Sequence, residues 1–226
     1  EWFAHFRYPG HERATDEGRD GSVPKGWRLG TAADLVVFDP PTKLPRTGVK
    51  PFIPMTSLNT QNSVIGPIEE REAGSGTKFR NGDTLFARIT PCLENGKTGL
   101  VRNLPADGVG FGSTEFIVMR GGIAGPAFTY LLARHEPFRA HAQRSMSGAS
   151  GRQRARTDSI KLFEILVPPR ALLNSFESMT WPMLEMAGRL GVANDKLAAS
   201  RDLLLPRLIS GELSVTAAER ELENAA

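Results

Sequence analysis

With one cysteine, Cys92, in 226 residues, the chain can form no disulfide within itself. Its four histidines, His5, His11, His135 and His141, are scattered, and together with Cys92 they offer no zinc-ligand spacing. No apolar run approaches the roughly 20 residues that a membrane-spanning helix requires. The first residues lack the basic start and apolar stretch of a secretion signal. These absences lead to the expectation of a soluble, unsecreted protein in a reducing cytoplasm, without a metal centre.

The sequence does hold enough apolar residues, 40% of the total, to build a proper core. Its formal net charge is only +3, a weak argument for an anionic partner, but the charge is unevenly spread. From Arg134 to Lys161 the basic residues Arg134, Arg139, Arg144, Arg152, Arg154, Arg156 and Lys161 face only Glu136 and Asp158, an excess larger than that of the whole chain. The positive field therefore has an address.

Organisation changes three times along the chain. Trp2, Phe3 and Phe6 have the spacing of one helical face, ended by Pro9-Gly10, and residues 11–23 have the polar, glycine-bearing composition of a linker. Residues 1–23 thus read as the end of an upstream helix and a linker. Residues 24–168 carry short apolar runs punctuated by Gly, Pro and Asn. Strands are expected at Leu35–Phe38, Pro51–Ser57, Thr84–Ile89, Thr98–Val101, Thr114–Met119 and Lys161–Val167. Asn81-Gly82-Asp83 and Asn95-Gly96 are turn signals ahead of two of these, which predicts antiparallel neighbours. Ala127–Arg144 has helical spacing that Pro137 must kink or divide. The fold class expected is mixed α/β (α+β): a globular domain with a twisted, mostly antiparallel or mixed sheet and flanking helices, followed by a long heptad-patterned helix.

That helix is expected in residues 169–213. Phe176, Met179, Met183, Met186, Leu190, Ala193, Leu197, Ser200 and Leu204 step by three and four without a slip, a heptad seam that calls for a partner helix. Pro182 is placed either inside the pattern or at the true helix start, and Pro206 should end or bend the rod. Residues 214–226 read as a polar tail, in which Thr216-Ala-Ala-Glu219 has the form of a capping box.

Catalytic motifs fail on inspection. Gly96-Lys97-Thr98 lacks the glycine that a phosphate-binding loop needs five residues earlier, where Pro91 stands, and the segment reads as a hairpin turn. Ser147-Gly148-Ala149-Ser150-Gly151 is not a nucleophile elbow and has no disciplined histidine and acid partner. Gly110-Phe111-Gly112 lacks dinucleotide spacing and reads as a tight entry into the strand that ends at Met119. Cys92, with no cation evident beside it, reads as a packed small residue. For Ser147–Arg156 two readings stand side by side: a loop whose small residues and arginines meet phosphates and base edges, or a solvated loop whose arginines pair with local acids.

Several separated stretches, taken in order, resemble the specificity subunit of type I restriction-modification systems. They are Glu1–Glu12, Val23–Trp27, Gly82–Thr90, Gly112–Val118, Met146–Arg154 and Arg201–Glu212. The resemblance implies the C-terminal half of such a subunit: a second target recognition domain, then a helix that packs antiparallel to one in a missing N-terminal half. It also implies double-stranded DNA as ligand. Partners would be modification subunits that methylate adenine with S-adenosylmethionine and restriction subunits that use ATP and Mg, with no cofactor on this chain and no catalytic site of its own. The setting implied is a prokaryotic cytoplasm. Charge and loop position nominate Arg88, Thr90, Asn95, Lys97, Ser147, Ser150, Arg152, Gln153, Arg154 and Arg156 as DNA-contacting residues. Phe176, Met179, Met183, Met186, Leu190, Leu197 and Leu204 are nominated for the helix interface. A type IIG-like bipartite enzyme would use the same fold with another partner, and a helical adaptor that ignores DNA is the reading from a different class.

Overall fold

The structure, a computed structural model, describes residues 2, 3, 8, 9, 24–102, 104, 105, 108–149, 151–216, 220 and 224. The expected end of an upstream helix and the linker after it lie almost wholly outside these residues, as do Ser150 and most of the Thr216–Glu219 cap. The chain divides into two compact units, residues 1–184 and 185–226.

The first unit contains β1 (Arg28–Thr31), α1 (Ala32–Leu35), β2 (Val36–Phe38), β3 (Val49–Ile53), β4 (Glu69–Glu72), β5 (Thr77–Arg80), β6 (Thr84–Ala87), β7 (Thr98–Leu100), β8 (Val109–Gly112) and β9 (Phe116–Gly121). After them come α2 (Pro126–Arg134), α3 (Glu136–Arg144), α4 (Thr157–Lys161), β10 (Glu164–Val167) and the first part of α5 (Arg170–Ile209). One sheet has the order β2-β9-β6-β7 and is antiparallel throughout. A second, β4-β3-β8-β5, is mixed because β3 and β8 run parallel, and β1 pairs with β10 in a small third sheet.

The two central strands of the first sheet explain the layering. In β6, Phe86 joins Ile117 and Met119 of β9 in a core with Phe128, Leu132 and Phe138 of the helices. Leu85, pointing the other way, joins Phe116 and Val118 of β9 in a core with Ile53 and Phe79 of the second sheet. Alternate residues along a strand face opposite sides. A strand apolar at every position is therefore buried on both faces, between helices on one side and a sheet on the other.

A buried ion pair sits where the chain crosses from the second sheet to the first. Asp83 is 1% exposed and takes two hydrogen bonds from Arg120 of β9, at 2.7 and 2.8 Å, while its carboxylate also accepts from the backbone N–H of Arg80. Asn81-Gly82 makes the expected turn there, with Gly82 at φ +88°.

Several expectations change. Leu35 ends a short helix instead of opening a strand, and Pro51–Ser57 is strand only to Ile53, then a 3-10 turn over Met55–Ser57. Gly110-Phe111-Gly112 is not a turn but part of β8: a Cβ on Gly112 would strike the carbonyl oxygen of Ile53, so glycine is what allows β8 to lie beside β3. Pro137 does divide its segment, near the N-terminus of α3, where a missing N–H costs nothing. Pro182 and Pro206 do not bound α5, which begins at Arg170 and ends at Ile209. Each proline removes one backbone donor from a long hydrogen-bonded ladder, and the neighbouring turns carry through.

The second unit is residues 185–226, helical to Ile209, a length of about 37 Å at roughly 1.5 Å per residue. Its apolar residues Met186, Leu190, Leu197 and Leu204 are exposed.

Candidate nucleic-acid interface

The ends of β6 and β9 that share one edge of the buried sheet carry the loops of interest. Beyond β6, the N–H of Arg88 donates to the carbonyl of Glu115 at 3.0 Å, and the carbonyl of Arg88 accepts from Ala155 at 2.8 Å. Ile89 bridges Arg154, and the N–H of Thr90 donates to Gln153 at 3.1 Å. Ser147 and Arg154 exchange two backbone hydrogen bonds, and the N–H of Arg156 reaches the hydroxyl of Ser145. Residues 88–90, 115, 147 and 153–155 are thus stitched by main-chain bonds into one rim, to which the Ser145 hydroxyl ties Arg156, though they lie far apart in sequence.

The basic cluster divides by what each side chain touches. Arg134 donates to the carbonyl of Gly96 at 3.0 Å, and Arg139 donates to those of Leu93 and Glu94, so these two hold the turn after β6 in place. Arg154 forms a bidentate pair with Glu115, its Nε and Nη2 reaching the carboxylate oxygens at 2.6–2.9 Å. Lys161 lies 3.4 Å from Asp158. Arg144, Arg152 and Arg156 are exposed and have neither ion pair nor side-chain hydrogen bond among the described residues. Both readings of the arginine loop therefore apply, residue by residue: Arg154 pairs with an acid, whereas Arg152 and Arg156 stand open.

The other nominated residues fall in different settings. Ser147 is exposed and Gln153 half-buried on the rim, and Asn95 is exposed at the tip of the clamped turn. Lys97 is half-buried, and its ammonium is bonded to the carbonyl of Met55 at 3.1 Å, an internal tie instead of a free cation. The Nε of Arg88 and the hydroxyl of Thr90 are buried with no hydrogen-bond partner among the described residues. The hydrogen bond from Arg154, then the charges of Arg154 and Arg88, hold the Glu115 carboxyl below the usual carboxylate range, while Glu115 pushes the Arg154 guanidinium further up. Sequence reasoning missed Glu115 altogether, and counted Arg144 in the cluster without nominating it.

Of the helix residues, Phe176 is packed inside the first unit, edge-on to Trp2 at 5.3 Å and to Phe3 at 4.8 Å, whereas Met179 and Met183 are exposed. A groove of about 440 Å³ beside Phe176 is lined almost wholly by apolar side chains, with His135 and Glu164 its only ionisable groups among the described residues. Among the described residues, no group of three or more His, Cys, Asp or Glu is placed to hold a metal ion, and no helix is long and apolar enough to cross a membrane.

No protein-family model matches the chain. It is 26% identical over 164 residues to the type I restriction enzyme EcoEI specificity subunit of Escherichia coli, a match covering 70% of this chain and 27% of that protein. It is 28% identical over 147 residues to the EcoAI specificity subunit of the same organism, covering 62% and 25%. The chain resembles type I restriction specificity subunits. It spans about a quarter of the length of these relatives. Its fold is also that of the HsdS subunit from Thermoanaerobacter tengcongensis, with a TM-score of 0.55 and 20% identity over 83% of this chain and 49% of that one. A chain from a type I R-M system solved for its complex assembly and conformational transition gives a TM-score of 0.53 at 20% identity, over 86% and 51%. Three of the stretches that carry the resemblance in sequence, Gly82–Thr90, Gly112–Val118 and Met146–Arg154, meet at the one rim described above.

Proposed function

We propose that this chain is the DNA-addressing part of a type I restriction-modification specificity subunit, and that its rim reads one half of a bipartite site in double-stranded DNA. The observation that carries the reading is the pair of open arginines Arg152 and Arg156 on the rim, with Arg144 open at the adjoining end of α3, where three of the stretches that carry the resemblance come together. Exposed guanidinium groups without internal partners suit phosphate oxygens, which fix register and give binding its salt dependence. The chain supplies the address and not the chemistry. Partner subunits then methylate adenine with S-adenosylmethionine and cleave with ATP and Mg, and the setting is a bacterial cytoplasm. The exposed seam of Met183, Met186, Leu190, Leu197 and Leu204 supports docking against a helix of the complementary half and against modification subunits.

The test is a graft of residues 24–168 in place of the second recognition domain of an active type I system, followed by mapping of N6-methyladenine across the host genome. One half of the methylated site should change while the other stays. Methylation that persists at the old site refutes the reading. The exposed seam also favours a second reading, a helical adaptor. That reading requires binding to be indifferent to salt, whereas a DNA reader loses affinity steeply as salt rises.

A further inference from the structure

Arg154 differs from its neighbours in a way that bears on what it can recognise. Its Nε and one face of Nη2 are committed to Glu115. Nη1 and the outer hydrogen of Nη2 have no partner among the described residues, and the side chain is 48% exposed. The pair is also preorganised: the backbone of Glu115 is bonded to Arg88, whose carbonyl takes the N–H of Ala155, while Ile89 bridges Arg154 itself. What remains is a rigid two-donor fork whose net charge has been cancelled from behind.

Such a fork is a poor phosphate ligand, because an approaching phosphate gains from Arg154 and is repelled by Glu115 a short distance beyond. A neutral ligand with two adjacent acceptors suits it better. In the DNA major groove only guanine presents that edge, O6 beside N7. Adenine and cytosine put a donor there, and thymine offers a single acceptor. We infer that the Arg154–Glu115 pair is a base-discriminating element of the rim, with Arg154 reading a guanine and Glu115 acting as the positioning residue that keeps it off the phosphates. The inference rests on the DNA-reading function proposed above and goes further, since it gives the arginines different roles. Arg144, Arg152 and Arg156 hold the backbone, and Arg154 selects.

The test uses the full chain, wild type and with Arg154→Ala, Glu115→Gln and Glu115→Ala, against duplexes of random sequence and against duplexes selected from them by the wild type. In the selected duplex each guanine is replaced in turn by 7-deazaguanine, which lacks the N7 acceptor. One such replacement should weaken wild-type binding by about 5- to 150-fold and leave Arg154→Ala unaffected. Both Glu115 variants should bind random duplex more tightly than the wild type, with a salt slope steeper by about one ion, because the freed arginine can turn to a phosphate. A merely structural role for Glu115 predicts weaker binding throughout. Glu115→Gln, nearly the same shape, carries the test if Glu115→Ala melts early. Glu115 variants no tighter on random duplex than the wild type, or an Arg154→Ala chain that keeps the 7-deazaguanine penalty, overturn the inference. Salt-dependent wild-type binding without base preference overturns it and leaves DNA binding standing. Absence of any salt-dependent duplex binding overturns the DNA-reading function itself.

Discussion

Replacing Glu177 by alanine should destabilise the first unit by about 2–3 kcal/mol, through the start of a helix fifty residues earlier in the chain. Helix α2 opens at Gly125-Pro126: the N-cap glycine has no side chain to accept a hydrogen bond, and Pro126 has no N–H to offer. Two orphan donors remain. The N–H of Ala127 meets Oε1 of Glu177 at 2.9 Å and that of Phe128 meets Oε2 at 3.3 Å, and Thr129 begins the intrahelical ladder by bonding to Gly125. Ala127 and Phe128 are buried, so water cannot readily replace the carboxylate. Losing an N-cap costs about 0.5–2 kcal/mol and removing an anion from a helix N-terminus about 0.3–2 kcal/mol. For a domain of this size the sum should lower the melting temperature by about 4–12 °C.

Gly125 supplies the internal control for that cap. Its φ of −76° is ordinary, but a Cβ there would collide with the Glu177 carboxylate. Gly125→Ala should therefore cost nearly as much as Glu177→Ala in the wild type and almost nothing once Glu177 is alanine, a coupling of about 2 kcal/mol in a double-mutant cycle. Urea melts of the four proteins, followed by tryptophan fluorescence, measure it. Additive costs, or an unchanged midpoint for Glu177→Ala, would show that the carboxylate is not the cap.

Asp83→Ala should cost about 3–5 kcal/mol in the same melts, because Arg120 would be left 16% exposed without its partner. Exchanging both residues for apolar ones should recover most of that loss. Changing Arg144, Arg152 and Arg156 together to alanine should reduce the salt slope of duplex binding by about three with no change in melting temperature, and an unaltered slope would remove these arginines from the interface. Glutamates at Leu190 and Leu197, both exposed, should leave folding intact yet abolish co-purification with modification subunits. Normal co-purification would refute the seam as an assembly surface.

What could be read from the chain beforehand follows burial. The strands β2, β6, β7, β9 and β10 were legible because their apolar runs meet turn residues. β4 was not, since Glu69-Glu-Arg-Glu72 is an exposed edge with no apolar alternation, and it is a strand because β3 offers it a ladder. β8 was hidden by the glycines that its close approach to β3 demands. At the rim, the charge excess was visible but its division was not. Arg154 finds Glu115 across 39 residues, Arg139 finds Glu94 across 45 and Lys97 finds Met55 across 42, contacts set by tertiary packing and not by neighbourhood in sequence.

The turn after β6 is held in a way that does not depend on its own side chains. It is gripped by Arg134 and Arg139 through the carbonyl groups of Leu93, Glu94 and Gly96, atoms that every residue type possesses. The outward side chains of Glu94 and Asn95 have no part in that grip, so they can be exchanged while the loop keeps its shape. On the DNA-reading function proposed above, the tip can therefore be rewritten one residue at a time, each intermediate still folded.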